Sequence, residues 1–314
     1  MHLIFLGTAS GTPTRDRNVA GLALRRDDGS VWIFDCGEGT QHRILATSIR
    51  PGRICRICIS HLHGDHCYGL PGLLAAIAVH DRVDEPVEVV GPRGLAEWIA
   101  CTRRVTSLGL PFPVRVTELD GPADLGARDG LELTAHALPH RLPCFAYVVR
   151  EAPRRGRLDP VQAACLGVVA GPDLGRLARG ETVMAADGTP VRPEQVCGAA
   201  RAGRVLAVLG DTHDPSSLAG VCAGCDVAVL ECTFDASRAE HARRWQHSTS
   251  TDVGAFVRTA APRLTLLTHF SGRFAGSEPV QTPDDLAAEV RAIAPGAEVR
   301  AADDLLEVPI PARA

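Results

Sequence analysis

Apolar positions in this chain cluster into short runs separated by turn residues, with helical spacing between them. HLIFLG (His2–Gly7), VAGLALR (Val19–Arg25) and VWIFDCG (Val31–Gly37) are rich in branched and aromatic residues and bounded by glycine or Asp-Gly turns, which predicts strands. A helix is expected over Thr40–Ile49, a strand over Arg53–Ser60, and a second helix after Pro71. The second half repeats the scheme. RVLAVLGDT (Arg204–Thr212), DVAVLECT (Asp226–Thr233) and RLTLLTHF (Arg263–Phe270) have the look of buried strands, with helices at Thr251–Ala260 and Thr282–Ile293. Two successive β-then-α halves predict an α/β fold of two packed sheets with helices outside, a four-layer αββα sandwich. Residues 151–200 interrupt the rhythm with weakly periodic sequence rich in Pro, Gly and Arg. Strand-like sequence resumes on both sides in the same style. The expectation is therefore one domain over 1–314 with a flexible arm inserted at 151–200, rather than a linker between two domains.

Composition narrows the class. Of 314 residues 45% are hydrophobic and 22% charged, which excludes a disordered or low-complexity chain. The longest apolar runs, such as Leu73–Val79, fall well short of the roughly 18 residues of a membrane span. The opening MHLIFLGTASG has no basic n-region and no small-residue cleavage pattern, so a cytoplasmic location is expected. Eleven cysteines without a secretion signal are read as free thiols. The net charge of −4 excludes a protein that grips nucleic acid over its whole surface, so any phosphate contact must come from a local patch. Such a patch exists in Arg150–Gly180, where six arginines face three acids. All 33 basic residues are arginine, a bias better assigned to codon usage than to function.

The strongest chemical signal is HLHGDH, His61 to His66, directly after the predicted strand ending at Ser60. Catalytic zinc sites take imidazole nitrogens and carboxylate oxygens and keep a position open for water. His61 and His63 are two apart in an extended segment and so point the same way. Asp65 and His66 then turn to the other side as a helix begins, so one loop offers ligands to two ions. Further ligand candidates end apolar runs: His140 with His136 as its competitor, Asp211, and His269. The pairs Cys55/Cys58 and Cys222/Cys225 have zinc-knuckle spacing, but the first lies within the strand leading to HLHGDH, and buried thiols are the preferred reading.

Taken together, FLGTASGTP, the P-x-R-x-R-N run (Pro13–Asn18), DCGEGTQHRIL, HLHGDHCYGLPGLL, GDT, ECTF, HST (His247–Thr249) and LTHFSGR resemble the metallo-β-lactamase superfamily and, more narrowly, ribonuclease Z, the tRNA 3′-processing endonucleases. The resemblance spans nearly the whole chain. It implies two Zn2+ per chain, with residue types that also admit Mn2+ or Fe2+. His61, His63 and His140 would hold one ion, Asp65, His66 and His269 the other, with Asp211 bridging. Asp65 would also orient and deprotonate the attacking water. His247, backed by Glu231, would protonate the leaving ribose oxygen. Substrate contacts would fall to Arg15, Arg17, Asn18 and Arg273 near the site, and to Gly171, Pro172, Arg176 and Arg179 on the arm. The implied substrate is precursor tRNA, cut to leave a 3′-hydroxyl on the tRNA and a 5′-phosphate on the trailer, by a homodimer without membrane attachment. His63 stands where diiron flavoproteins of the superfamily carry glutamate, which argues against oxygen chemistry. Leu230 departs from the family's His-Glu-Ala-Thr block. The alternatives are a small-molecule hydrolase of the same fold, acting on phosphodiesters, aryl sulfates or lactones, and an inactive RNA-binding relative.

Overall fold

A computed structural model describes residues 1–80, 85–275 and 281–313. One seven-stranded sheet runs in the order β16-β1-β2-β3-β4-β5-β6. Its strands are β1 (His2–Gly7), β2 (Gly21–Arg25), β3 (Val31–Cys36), β4 (Ile54–Cys58), β5 (Val87–Pro92), β6 (Val114–Leu119) and β16 (Glu307–Pro309). Pairing is antiparallel from β16 to β3 and parallel from β3 to β6. A second seven-stranded sheet runs β15-β14-β13-β12-β9-β8-β7. It is built from β7 (Ala123–Arg128), β8 (Leu131–Leu138), β9 (Cys144–Glu151), β12 (Val205–Val208), β13 (Val227–Glu231), β14 (Thr265–Thr268) and β15 (Val299–Ala301). β12 to β15 are mutually parallel. A parallel sheet covered on both faces explains why these strands read as continuous apolar runs, whereas β8 alternates buried and exposed positions.

Helices cover the outer face of each sheet. α1 (Thr40–Ile44), α3 (Leu70–Ala78) and α4 (Leu95–Thr106) bury Ile44, Leu73, Leu74, Ile77 and Ile99 against the first. α9 (Ser250–Ala260) and α10 (Pro283–Ile293) bury Phe256, Val257, Leu286 and Val290 against the second. Between the sheets, the Phe34 and Tyr147 rings lie 6.1 Å apart, and the Tyr147 hydroxyl donates to the Ile59 carbonyl at 2.8 Å. The Phe145 amide donates to the Ser60 carbonyl at 3.0 Å, so the second sheet anchors the chain just where it leaves β4. This is the metallo-β-lactamase sandwich, two mixed sheets flanked by helices. The sequence pattern names no strand at β5, β6 or β7 and overextends α1; β6 and β7 are polar and half exposed, whereas β5 is buried.

The chain divides into two compact units. The larger comprises Met1–Ala127, Leu133–Val149 and Val205–Pro311. The smaller is centred on Arg150–Arg204. It is better ordered than its weak periodicity predicts. It contains α5 (Pro160–Cys165), α6 (Pro172–Arg179), the hairpin β10 (Val183–Met184) with β11 (Pro190–Val191), and α7 (Pro193–Val196). These elements bury Ala163, Val168, Leu177, Val183, Val191 and Val196 together. Each helix begins with proline in its first turn and is too short for a helical period to register, which is why the segment reads as loop. At its base the backbones of Arg154 and Arg201 exchange hydrogen bonds of 2.9 and 2.8 Å.

Close backbone approach constrains the fold beside HLHGDH. A Cβ on Gly37 would stand 2.2 Å from the Asp65 carbonyl oxygen, and one on Gly69 2.0 Å from the Gly37 carbonyl oxygen. Both obstacles are backbone and cannot rotate away. Gly37→Ala is therefore expected to lower the unfolding free energy by about 2–3 kcal/mol and to weaken metal retention, read by chemical denaturation and metal analysis.

Candidate metal centre

Residues at or just beyond the carboxyl ends of β3, β4, β8, β12, β13 and β14 converge, as expected where parallel strands present a site to their loops. His61, His63, His140 and Asp211 form one donor cluster, and Asp65, His66 and His269 a second, each with ligand atoms within 4.8 Å of one another. In the first, His61 Nε2 lies 2.8 Å from His63 Nδ1, which lies 3.4 Å from His140 Nε2. In the second, His66 Nε2 is 3.1 Å from His269 Nε2, and Asp65 Oδ2 is 3.3 Å from His269 Nε2. Asp211 Oδ2 faces both clusters, at 3.7 Å from His61 Nε2 and 3.4 Å from both His66 Nε2 and His269 Nε2. Ligands ~2.0–2.1 Å from a tetrahedral zinc lie roughly 3.3–3.4 Å from each other. Most of these separations fall near that edge length, so the donor set fits divalent metal, and the protein is a metal-binding one.

The outer ring nitrogens settle which atom faces the metal position. His66 Nδ1 donates to Asp35 Oδ2 at 2.8 Å, and His140 Nδ1 to the Gln246 carbonyl at 2.9 Å. Ser60 Oγ gives its proton to Asp35 Oδ2 and accepts from His61 Nδ1 at 3.0 Å. Thr233 Oγ1 donates to Glu231 Oε2 and accepts from His269 Nδ1 at 3.0 Å. Each arrangement fixes the tautomer and leaves Nε2 as a lone pair directed inward. Asp65 is braced by the Gly11 amide, which donates to Oδ2 at 2.7 Å. Asp35 and His269 adopt φ of 58° and 59°, the left-handed region that non-glycine residues seldom enter, and both do so at this site.

Electrostatics follow the same geometry. Burial holds His61, His63 and His140 below the usual imidazole range, which is the neutral form a metal requires. Burial also opposes charge on His66 and on Asp211. For His66 it is outweighed by Asp211, Asp35 and Asp65, which raise its pKa. For Asp211 it is outweighed by His269, His66 and His61, which lower its pKa. His247 belongs to neither of these two groups but forms a third donor cluster with Asp211 and His269. Burial opposes its charge too, but Glu231 at 3.0 Å and Asp211 at 3.7 Å prevail and raise its pKa to about 9. Glu231 is itself buried, held by the Thr212 amide at 2.8 Å and by Thr233.

The other residues singled out in the sequence lie in several environments. His136 pairs with Thr134 at 2.9 Å and belongs to neither donor cluster, whereas His140 does. Cys55, Cys58, Cys222 and Cys225 are buried, and burial pushes the Cys58 thiol up to about 12. Leu230 packs in the apolar cluster beneath α9 and α10, on the face of β13 opposite Glu231, so its departure from the family block does not alter the site lining. Arg17 reaches Thr8 Oγ1 and the Ala302 carbonyl at 2.7 and 2.8 Å and pairs with Asp303 at 2.5 Å. Asn18 donates to the Glu38 carbonyl at 2.9 Å. Both therefore brace the loop, while Arg15 is exposed. Arg273 lies 4.0 Å from Asp235. On α6, whose start is Gly171-Pro172, Arg176 pairs with Asp173 and Glu181, and Arg179 with Glu181. Glu181 lies one residue beyond the stretch over which the arginine excess was counted, so the helix end is less positive than that count implies. Asp35, Thr233 and Ser60 were given no role from sequence. Asp35 does carry the same signal as Asp211, a carboxylate ending an apolar run.

The sequence pattern of the metallo-beta-lactamase superfamily matches residues 16–150, which include the whole HLHGDH loop. Ribonuclease Z of Limosilactobacillus fermentum is 36% identical over 315 residues, covering 100% of both chains. Ribonuclease BN of Cronobacter sakazakii is 38% identical, covering 99% of this chain and 100% of that one. Among solved structures, the short form of human tRNase Z superposes with a TM-score of 0.71 at 26% identity, covering 99% of this chain and 100% of that one. The fold and donor clusters are those of a metallo-β-lactamase-type hydrolase. Within that class, the full-length relatives show that the chain belongs to the ribonuclease Z family.

Asp35→Asn tests the support behind His66. Asparagine tolerates the left-handed backbone and can still accept from Ser60, but its amide NH2 would face the His66 Nδ1–H. Metal affinity, measured by competition with a chelator, is expected to fall roughly 10–100-fold with the fold intact.

Proposed function

We propose that this chain is a dinuclear zinc phosphodiesterase that removes the 3′ trailer from precursor tRNA, leaving a 3′-hydroxyl on the tRNA and a 5′-phosphate on the trailer. Family membership makes it a metal-dependent endoribonuclease. The observation that carries the particular reaction is the pairing of His247 with the buried Glu231 beside the two donor clusters. A proton donor held next to a phosphoryl site is what a poor leaving group such as a ribose oxygen needs. The relatives named ribonuclease Z and the human tRNase Z supply the substrate class.

In this reading His61, His63 and His140 hold one zinc, Asp65, His66 and His269 the other, and Asp211 serves both. When bound, the two ions supply an acidified water and neutralise charge on the phosphoryl group. The rest falls to the chain. Asp65 accepts the proton of the attacking water and aims it, while the Gly11 amide keeps the carboxylate in place. His247 enters the reaction protonated and gives its proton to the departing O3′. Glu231, locked by Thr212 and Thr233, keeps His247 charged and oriented. Arg15 and Arg273 contact RNA near the site, and Arg17 and Asn18 shape the loop that does so. The Arg150–Arg204 unit, with nine arginines against six acids, is the exosite for the body of the tRNA. The acting form is a homodimer in the cytoplasm. Among the described residues no helix is long and apolar enough to cross a membrane.

Metal analysis is expected to find two zinc ions per chain, with Asp211→Ala reducing occupancy; one ion per chain and no effect of that change would overturn the ligand scheme. Against precursor tRNA, His247→Ala should cost roughly 10²–10⁴ in kcat while sparing methyl 4-nitrophenyl phosphate, whose nitrophenolate leaves unprotonated. Asp65→Ala should abolish turnover of both. A general acid works only while protonated, so wild-type cleavage of precursor tRNA should decline as pH rises through about 9, or somewhat lower once bound cations offset Asp211. That limb should be absent with the nitrophenyl ester.

The arm is tested by replacing residues 155–200 with a short Gly-Ser linker across the Arg154–Arg201 bridge. Metal content and ester turnover should persist. Precursor tRNA binding should weaken, and its log–log salt slope should flatten by roughly 0.7–0.9 per lost phosphate contact. Unchanged affinity and slope would remove the exosite.

A further inference from the structure

Aromatic rings are scarce in this chain, at 4% of residues, and nearly all are out of reach of solvent. Every phenylalanine is buried, as are Trp32 and Tyr147, and Trp98 is half-buried. Only Tyr68 at 65% and Trp245 at 44% stay largely exposed, and both line one cleft of about 470 Å³ that His63, Asp65, Asp211 and His269 also line. Leaving two large rings in water forfeits the stabilisation that burying them would bring, so their shared location calls for an occupant.

Each ring belongs to the same short segment as one of the two proton-transfer groups. Tyr68 ends α2 (Gly64–Cys67), three residues beyond Asp65. Its ring lies so close to Gly64 that a Cβ there would be 2.2 Å from Tyr68 Cε2, so the ring packs against the start of α2. Trp245 ends α8 (Ala239–Trp245), and Gln246 follows in the left-handed region at φ 62°. That reversal directs the Gln246 carbonyl to His140 and brings His247 to Glu231. The guanidinium carbons of Arg141 and Arg244 lie over the Trp245 ring, 5.3 and 6.0 Å from its centre, so cations already occupy ring surface that a base would take. Exposed rings flanked by arginine suit unpaired nucleobases joined by phosphates, since every base offers a face for stacking and each linkage a negative charge.

We propose that Tyr68 and Trp245 are the two base-stacking platforms that seat the nucleotides on either side of the scissile phosphate, an assignment that rests on the tRNA-processing reading. In-line displacement sets their order. The leaving O3′ belongs to the last nucleotide of the tRNA and departs toward His247, so that base stacks on Trp245 and displaces the Arg141 guanidinium from over the ring. The first trailer nucleotide, joined through the equatorial O5′, stacks its base on Tyr68. Both are positioning residues that hold the phosphate in line. The chemistry requires both flanking bases to be unpaired, which selects a single-stranded junction over a duplex.

The test uses full-length, metal-loaded enzyme and precursor tRNA made with or without a base at each flanking nucleotide. Tyr68→Ala and Trp245→Ala should raise KM roughly 5- to 150-fold with a smaller change in kcat, at wild-type metal content. Tyr68→Phe and Trp245→Phe should restore most of it. Removing the last tRNA base should penalise the wild type but scarcely penalise Trp245→Ala further, and removing the first trailer base should do the same for Tyr68→Ala. Base removal that costs wild type and variant equally, or an unchanged KM, overturns the platforms and leaves the tRNA reading intact. Quenching of 2-aminopurine in a short unpaired ribo-oligonucleotide supplies a second readout. Quenching that the alanine variants lose, in an enzyme that fails to cut precursor tRNA, would uphold the platforms and overturn the substrate. No quenching and no cutting would overturn both.

Discussion

Four carboxylates, Asp35, Asp65, Asp211 and Glu231, are withdrawn from water around a group of imidazoles, and the rest of the structure answers to that constraint. Removing a carboxylate from water costs several kcal/mol unless cationic partners and hydrogen-bond donors replace its hydration. Here Asp211 meets His61, His66 and His269, Asp35 takes three donors from Ser60 and His66, and Glu231 is closed in by Thr212, Thr233 and His247. The arrangement forms only if the ends of strands from both sheets reach one place. Gly37 and Gly69 must then lack side chains, and Asp35 and His269 must accept an unfavourable backbone.

Thr233 is the node between the two chemical tasks. Its hydroxyl gives its proton to the carboxylate that charges His247 and accepts one from His269 in the second donor cluster. Strand periodicity makes this possible. Along and just beyond β13, Leu230 and Cys232 face the apolar cluster under α9 and α10, while Glu231 and Thr233 face the site. A capping box at Thr249 and Asp252 starts α9 directly after His247 and Ser248, so helix initiation helps to position the proposed acid. The two exposed aromatic rings extend the same economy, each borne on a segment that already carries a group of the centre.

The Arg150–Arg204 unit obeys different rules. It has its own small apolar cluster and a surface in which arginines pair with nearby acids, Arg176 and Arg179 with the exposed Glu181. Exposed pairs of this kind contribute at most about 1 kcal/mol each, so a polyphosphate can displace the acids at little cost. Phosphate binding by such a surface exchanges one set of weak ion pairs for another, and salt-sensitive affinity follows.

HLHGDH after an apolar strand declares a metal site in the sequence alone, because three imidazoles and a carboxylate within six residues have no other economical use. The parallel strands of the second half are equally plain, since burial on both faces leaves a continuous apolar run. Asp211, His140 and His269 are visible as polar residues ending such runs. Local pattern cannot show which of them meet, because their approach depends on the order β14-β13-β12-β9-β8 and on how the two sheets stack. Nor can it reveal Asp35 as the partner of His66, Thr233 as the link between Glu231 and His269, or the pairing of His247 with the buried Glu231. Arg17 and the Asn18 amide, in a loop expected to contact substrate, are held by residues almost three hundred positions away, Ala302 to Asp304, a link that local pattern does not reveal. Sequence spacing encodes which side chains can do chemistry. Long-range pairing decides which of them are desolvated together, and desolvation turns ordinary histidines and acids into a working site.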